Sequence, residues 1–168
     1  MSFEIKTMPT ADKQTRYELL IEDIATLISG EHRETSVMAN VAAAIRQAFS
    51  FFWVGFYVVD GDYLHLGPFQ GDVACYRIRC GRGVCGTAWA ERRTLLVPDV
   101  DAFPGHIACS SSSRSEIVVP IMVCGEVKGV LDIDSCDLNT FDETDKAYLE
   151  KIVTMLADQL YGGKENQA

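Results

Sequence analysis

The chain has 168 residues, 48% of them hydrophobic and 23% charged, a size and balance that fit one globular domain with a substantial core. Its net charge of −9, from 24 acidic and 15 basic residues, argues against nucleic acid or an anionic membrane as partner. It also disfavours anionic substrates and leaves cationic and zwitterionic ones open. The start of the chain lacks a basic segment leading into an apolar one. The longest uncharged apolar run, 47–59, is shorter than the roughly 20 residues a bilayer span needs, so a cytoplasmic protein is expected.

Two helices open the chain. Leu20, Ile24, Leu27 and Ile28 share one face of the first, and Met38, Val41, Ala42, Ile45 and Phe49 share one face of the second. Residues 52–59 are β-branched and aromatic and run into Asp60-Gly61. Tyr63 to Leu66 follows, which is a hairpin signal. Ala74 to Arg79 reads as a further strand, and Val84 to Arg92 as a short helix leaving the Gly81-Arg82-Gly83 turn. Thr94 to Val97 is a candidate strand, and 99–113 is a long polar loop holding Pro104-Gly105.

Two strongly apolar strands come next, Glu116 to Val123 and Val127 to Ile133, joined at Cys124-Gly125-Glu126. Asp142 is placed to cap a last helix whose stripe is Leu149, Ile152, Val153, Leu156 and Leu160. Lys164 to Ala168 reads as a frayed tail. Hairpins dominate, so the expected fold is α+β. A largely antiparallel sheet has the N- and C-terminal helices on one face and loops forming a site on the other. Residues 1–168 are read as one domain with its core at about 15–160.

Six cysteines in a reducing compartment are too sparse to serve as a disulfide framework. Cys75, Cys85 and Cys109 each lie in a Gly-bearing or polar context: Gln70-Gly71-Asp72-Val73-Ala74-Cys75, Gly81-Arg82-Gly83-Val84-Cys85-Gly86 and Pro104-Gly105-His106-Ile107-Ala108-Cys109. An intracellular thiol outside a core is usually kept for reactivity. Small residues around Cys109, with His106 before it and Ser110 to Ser113 after, leave its sulfur accessible and backbone N–H groups free to hold an anion. Those conditions favour a thiolate, and an ordinary loop cysteine is the alternative. Exchange with Cys75 or Cys85 needs Cα atoms within about 7 Å, which spacing alone does not fix. Cys80, Cys124 and Cys136 read as filler or tolerated surface thiols. Zinc on Cys75, Cys80, Cys85, Cys109 and His106 is disfavoured, because the first three cysteines are each separated by four residues rather than set in C-x₂-C pairs. No metal is expected.

Asp132 and Asp134 fall on one strand face, with Leu131 and Ile133 on the other, and a hairpin brings Glu116 towards them. Close carboxylates raise one another's pKa unless a cation binds, so the trio can hold an ammonium group, deliver a proton, or do both. The alternative is a solvent-facing strand end. Trp53 and Tyr57, four apart, share a face opposite Phe56 and can wall a small apolar pocket, although strand aromatics are more often core.

Taken together, several segments resemble the free methionine-(R)-sulfoxide reductases, single GAF-domain enzymes. They are Trp53 to Tyr57, Gly67 to Gly71, Gly81 to Gly86, His106-Ile107-Ala108-Cys109, Ser115 to Pro120 and Gly129 to Ser135. The resemblance covers about residues 15 to 160 and implies a GAF-like fold. It implies that Cys109 is the nucleophile that attacks the sulfoxide, passing through a sulfenic acid. Cys75 would be the resolving cysteine and Cys85 the third family thiol, near the site. Glu116, Asp132 and Asp134 would form an acidic pocket for the ammonium group of free methionine-(R)-sulfoxide, and Trp53 and Tyr57 would hold its S-methyl group. It further implies no bound cofactor, thioredoxin as electron donor and a homodimer. Ser110 stands where many family members have Asp. The competing reading is a non-catalytic GAF module that senses a small ligand or its own redox state.

Overall fold

A computed structural model describes residues 3–162, so the proposed frayed tail lies outside the described residues. Helices α1 (Lys13–Ile28) and α2 (Glu34–Phe49) precede strands β1 (Trp53–Asp60), β2 (Tyr63–Gln70) and β3 (Arg77–Arg79). Helix α3 (Gly83–Glu91), strand β4 (Leu95–Val97) and a 3₁₀ turn at Val100–Ala102 follow. Then come β5 (Ser115–Val123), β6 (Glu126–Ser135) and helix α4 (Glu143–Tyr161). The strands form one six-stranded sheet in the order β3-β2-β1-β6-β5-β4, with every neighbouring pair antiparallel. This is the expected α+β fold.

Strand alternation divides the molecule into two cores. Val54, Phe56, Ile117, Val119, Ile121, Leu131 and Ile133 point to one face, where α1, α2 and α4 bury Tyr17, Leu20, Ile24, Met38, Val41, Ile45, Ile152 and Leu156 against them. Trp53, Tyr57, Val118 and Val130 point to the other face, where they meet Leu64, Ile78, Leu95 and the buried side of α3. Tyr17 and Lys13 fasten the outer helices together. The Tyr17 hydroxyl donates to Asp145 Oδ1 at 2.7 Å, and Lys13 Nζ reaches Asp145 Oδ2 at 2.6 Å. Asp142 caps α4 and shares a capping box with Asp145, the Asp142 side chain accepting from the Asp145 backbone N–H and the Asp145 side chain from the Asp142 N–H. Cys124 and Gly125 close the β5–β6 hairpin with φ of 51° and 78°, the pair of positive values a type I′ turn requires.

Three boundaries differ from the sequence reading. β2 runs past Leu66 to Gln70, because a register shift opposite Gly55 and Tyr57 absorbs the Gly67-Pro68 step. The strand expected at Ala74 to Arg79 is regular only over Arg77–Arg79, with one further backbone bond from Leu66 N to the Tyr76 carbonyl. Cys75 leaves the sheet because its carbonyl is taken by the Tyr57 hydroxyl rather than by a neighbouring strand. The loop at 99–113 is not wholly irregular, since the 3₁₀ turn occupies its start.

Candidate active site

The face away from the outer helices carries a small cavity, open on one side to solvent. Its floor is the β6–β5 pair. Glu116 lies directly opposite Asp134 in the register, and Asp132 follows two residues along on the same face. Trp53 on β1 is registered against Asp134, and Gly55 against Asp132. Gly55 has to be glycine, because a Cβ there would run into the Trp53 ring and lie 2.5 Å from Phe69 Cβ. The bare backbone lets the Trp53 ring lie flat along the cavity wall. That ring stacks on Phe69 at 5.3 Å and is offset from Tyr57 by 6.1 Å. Trp53 Nε1 donates to the Asp72 carbonyl at 2.9 Å, and the Tyr57 hydroxyl to the Cys75 carbonyl at 3.1 Å. The aromatic wall thereby holds the loop that leads into Cys75.

That loop meets the long polar loop through a disulfide between Cys75 and Cys109, with Cα atoms 5.4 Å apart. Cys109 lines the cavity together with His106, Ile107 and Ser113. Cys85 is not the accessible loop thiol that its Gly-rich context suggests. It sits in the first turn of α3 and is buried, because α3 lays that turn against the sheet. Its Sγ donates to Glu116 Oε1 at 3.9 Å. Cys80, Cys124 and Cys136 are exposed, and none lines the cavity. The zinc set considered from sequence is not assembled, since Cys75 and Cys109 are bonded to each other. The donors that converge within 4.8 Å are Cys85, Glu116 and Asp132.

The electrostatics follow from three acids and a thiol sharing one buried floor. Burial pushes Glu116 and Asp132 well above the usual carboxylate range, and the neighbouring Asp134 charge adds to both. Burial raises Asp134 to about 6, against a hydrogen bond from the Ser113 hydroxyl that pulls it down. Burial and then Asp132 push up the Cys85 thiol, and burial and Asp132 likewise push up the Tyr57 hydroxyl. Asp132 Oδ1 is buried without a hydrogen-bond partner. An unpaired buried carboxylate oxygen in an acidic cavity has the chemistry of a socket for a cation that also donates hydrogen bonds.

A GAF domain model matches residues 34–160. The free methionine-R-sulfoxide reductase of Escherichia coli is 42% identical to this chain, covering 86% of it and 88% of the relative. The free methionine-R-sulfoxide reductase of Neisseria meningitidis, solved with its substrate, superposes with a TM-score of 0.91 at 48% identity. That match covers 94% of this chain and 95% of the other. The chain belongs to the free methionine-R-sulfoxide reductase family of GAF domains. A Dictyostelium discoideum protein described only as GAF domain-containing protein A is 56% identical over 86% of this chain and 92% of its own length.

Within this family fold the structure gathers Trp53, Tyr57, Cys85, Cys109, Glu116, Asp132 and Asp134 around one cavity, with Cys75 bonded to Cys109 at its edge. Two neighbours of the acids escape a reading by strand parity. His106 Nε2 approaches Glu116 Oε2 to 3.9 Å, and Ser113 holds Asp134. Both come from the polar loop, whose path is set by the disulfide and by the bonds from Val100 N to Arg114 O and from Arg114 N to Ser135 O. The run of small polar residues after Cys109 was the available signal for Ser113.

Proposed function

We propose that the chain reduces free L-methionine-(R)-sulfoxide to L-methionine, with Cys109 as nucleophile and Cys75 as resolving thiol. The observation that carries the reading is the joining, in one cavity, of the Cys75–Cys109 disulfide with an unpartnered buried Asp132 oxygen. Reduction needs a thiol that can take up oxygen. Selection of the free amino acid needs a group that recognises its ammonium. The names of the E. coli and N. meningitidis relatives point the same way.

In the reduced state the Cys109 thiolate attacks the sulfoxide sulfur. The sulfur–oxygen bond breaks, oxygen passes to Cys109 as a sulfenic acid, and methionine leaves with its sulfur reduced by two electrons. A carboxyl group held protonated at neutral pH protonates the sulfoxide oxygen; Glu116, pushed well above the usual carboxylate range by burial, faces the cavity for this task. Asp132 accepts the substrate ammonium, and its ionisation, costly in the empty cavity, becomes favourable once that cation is present. The Trp53 and Tyr57 rings receive the S-methyl end. Cys75 then condenses with the sulfenic acid, releasing water and forming the disulfide. Thioredoxin opens it by exchange, with no bound cofactor. A disulfide reopened in each cycle belongs in a reducing compartment, which is the cytoplasm in this reading.

The test is NADPH consumption with thioredoxin and its reductase, comparing free L-methionine-(R)-sulfoxide, its S epimer and a peptide-bound sulfoxide. Turnover confined to the free R epimer is expected. Binding without consumption of reductant would mean a sensory module instead.

A further inference from the structure

We propose that the floor of the cavity binds a thiophilic divalent cation of the zinc class, held by Cys85 Sγ and a carboxylate oxygen from each of Glu116 and Asp132, as an inhibitor rather than a cofactor. One ligand atom from each of the three lies within 4.8 Å of the other two. Cys85 Sγ stands 3.9 Å from Glu116 Oε1. Around a tetrahedral zinc, with bonds of about 2.3 Å to sulfur and about 2.0–2.2 Å to oxygen, neighbouring ligands sit roughly 3.3–3.7 Å apart, so the set closes by shifts of about an ångström. Carboxylates alone do not make a site. Here a buried sulfur joins them, and Asp132 Oδ1, on a side chain only 7% exposed, reaches this floor with no hydrogen-bond partner.

Charge and donor type select the ligand. Once deprotonated, all three donors are anionic, and no lysine or arginine lines the cavity to offset them. A dication neutralises more of that charge than an ammonium group does. Sulfur among the donors favours zinc or cadmium over magnesium and calcium, which take oxygen sets. His106 Nε2, 3.9 Å from Glu116 Oε2, is placed to orient that carboxylate from the loop side. Cys85, Glu116 and Asp132 all line the cavity, so the ion enters from its open side and water completes the tetrahedron.

Coordination is a ligand exchange without redox change. The Cys85 sulfur bonds the metal and its proton leaves to solvent, as does any proton on the two carboxyl groups. Cys85 lies outside the Cys75–Cys109 disulfide, so oxidised chain binds the ion as well. The inhibition, unlike the binding, rests on the reading of Asp132 as the ammonium contact. An ion on Asp132 takes the place of the substrate's ammonium group, so the two exclude each other.

The test uses full-length chain carrying Cys80→Ser, Cys124→Ser and Cys136→Ser, with the Cys75–Cys109 disulfide formed chemically, which leaves Cys85 as the remaining thiol. Cadmium is titrated in while its ultraviolet sulfur-to-metal charge-transfer band is followed, and zinc is counted after dialysis. One cadmium per chain with a thiolate band, and one zinc per chain, are expected. Cys85→Ser should abolish the band. Glu116→Gln and Asp132→Asn, each checked for folding by circular dichroism, should weaken cadmium by about tenfold or more, since even loss of a group that only supports a metal ligand costs about 10- to 100-fold. Added L-methionine should shift the cadmium titration to higher concentration. Absence of a band at millimolar cadmium overturns the site. So does a band of equal affinity in both carboxylate variants, which marks a lone thiolate, and so does displacement of cadmium by an equal concentration of magnesium. Cadmium binding that L-methionine leaves unmoved overturns the inhibition and, with it, the ammonium role of Asp132. Because the band reports the metal directly, binding is decided even if the sulfoxide proves not to be the substrate.

Discussion

The hydroxyl of Tyr57 donates to the backbone carbonyl of Cys75 at 3.1 Å, so a residue of the cavity wall also positions the loop that carries the Cys75 thiol. Removing it as Tyr57→Phe keeps the ring and deletes one hydrogen bond, a net loss of about 0.5–1.5 kcal/mol. The expected effect is a two- to tenfold slower second step, with methionine release in the first turnover changed less. Trapping the sulfenic acid on Cys109 and following its decay measures that step. An unchanged decay would detach Tyr57 from resolution.

Asp132 supplies the ammonium contact in this account, and Asp132→Asn replaces a charge-assisted bond worth about 1.5–3 kcal/mol. Its kcat/KM for free methionine-(R)-sulfoxide should fall about 10- to 100-fold. The N-acetylated sulfoxide, which has no ammonium, should lose far less. The ratio of the two substrates in one assay is the readout. A fall of equal size for both would assign Asp132 to the chemical step rather than to recognition.

Strand parity made much of this floor legible. Trp53 and Tyr57 against Val54 and Phe56, and Asp132 and Asp134 against Leu131 and Ile133, are separated by period two alone, and the sheet keeps that separation. Asp142 was visible as a cap because its signal is local. The burial of Cys85 was not legible. Its glycine-rich neighbours advertise a turn, while its environment is decided by how α3 packs on the sheet. His106 beside Glu116 and Ser113 beside Asp134 were hidden for a related reason. Their loop is held by the bond between Cys109 and Cys75, 34 residues apart in sequence, and by the backbone bond from Arg114 N to Ser135 O, neither of which is a local signal.

The acidic floor has a pH signature in the ligand-free protein. Burial holds Asp134 up at about 6 from an ordinary 3.8, so between those values the native chain keeps a proton that the unfolded chain has released. Stability contributed by this group is therefore present at low pH and lost as pH rises through about 6. Asp134→Asn removes the dependence. From about pH 4 to about pH 7, the variant should gain on the order of 2–3 kcal/mol relative to the wild type. Urea unfolding at each pH measures the difference. A gap that does not change with pH would mean that Asp134 titrates normally.

Gly55 tests the packing that lays Trp53 along the wall. A methyl group in Gly55→Ala collides with the Trp53 ring and presses on Phe69, and overpacking of this kind costs about 1–3 kcal/mol. Lower stability and a weakened affinity for methionine should appear together, by thermal unfolding and calorimetric titration. A stable variant with full affinity would show that the ring can move aside without consequence.

A single turnover without any reductant separates the roles of Cys109 and Cys75. Fully reduced chain is mixed with excess free methionine-(R)-sulfoxide, and methionine, free thiols and the disulfide pairing are quantified together. The expected result is about one methionine per chain, the loss of two thiols, and a Cys75–Cys109 bond in the peptide map. Cys75→Ser should yield the same methionine and stop as a sulfenic acid, and Cys109→Ser should yield none. Methionine produced by Cys109→Ser, or thiols lost elsewhere than Cys75 and Cys109, would contradict those roles.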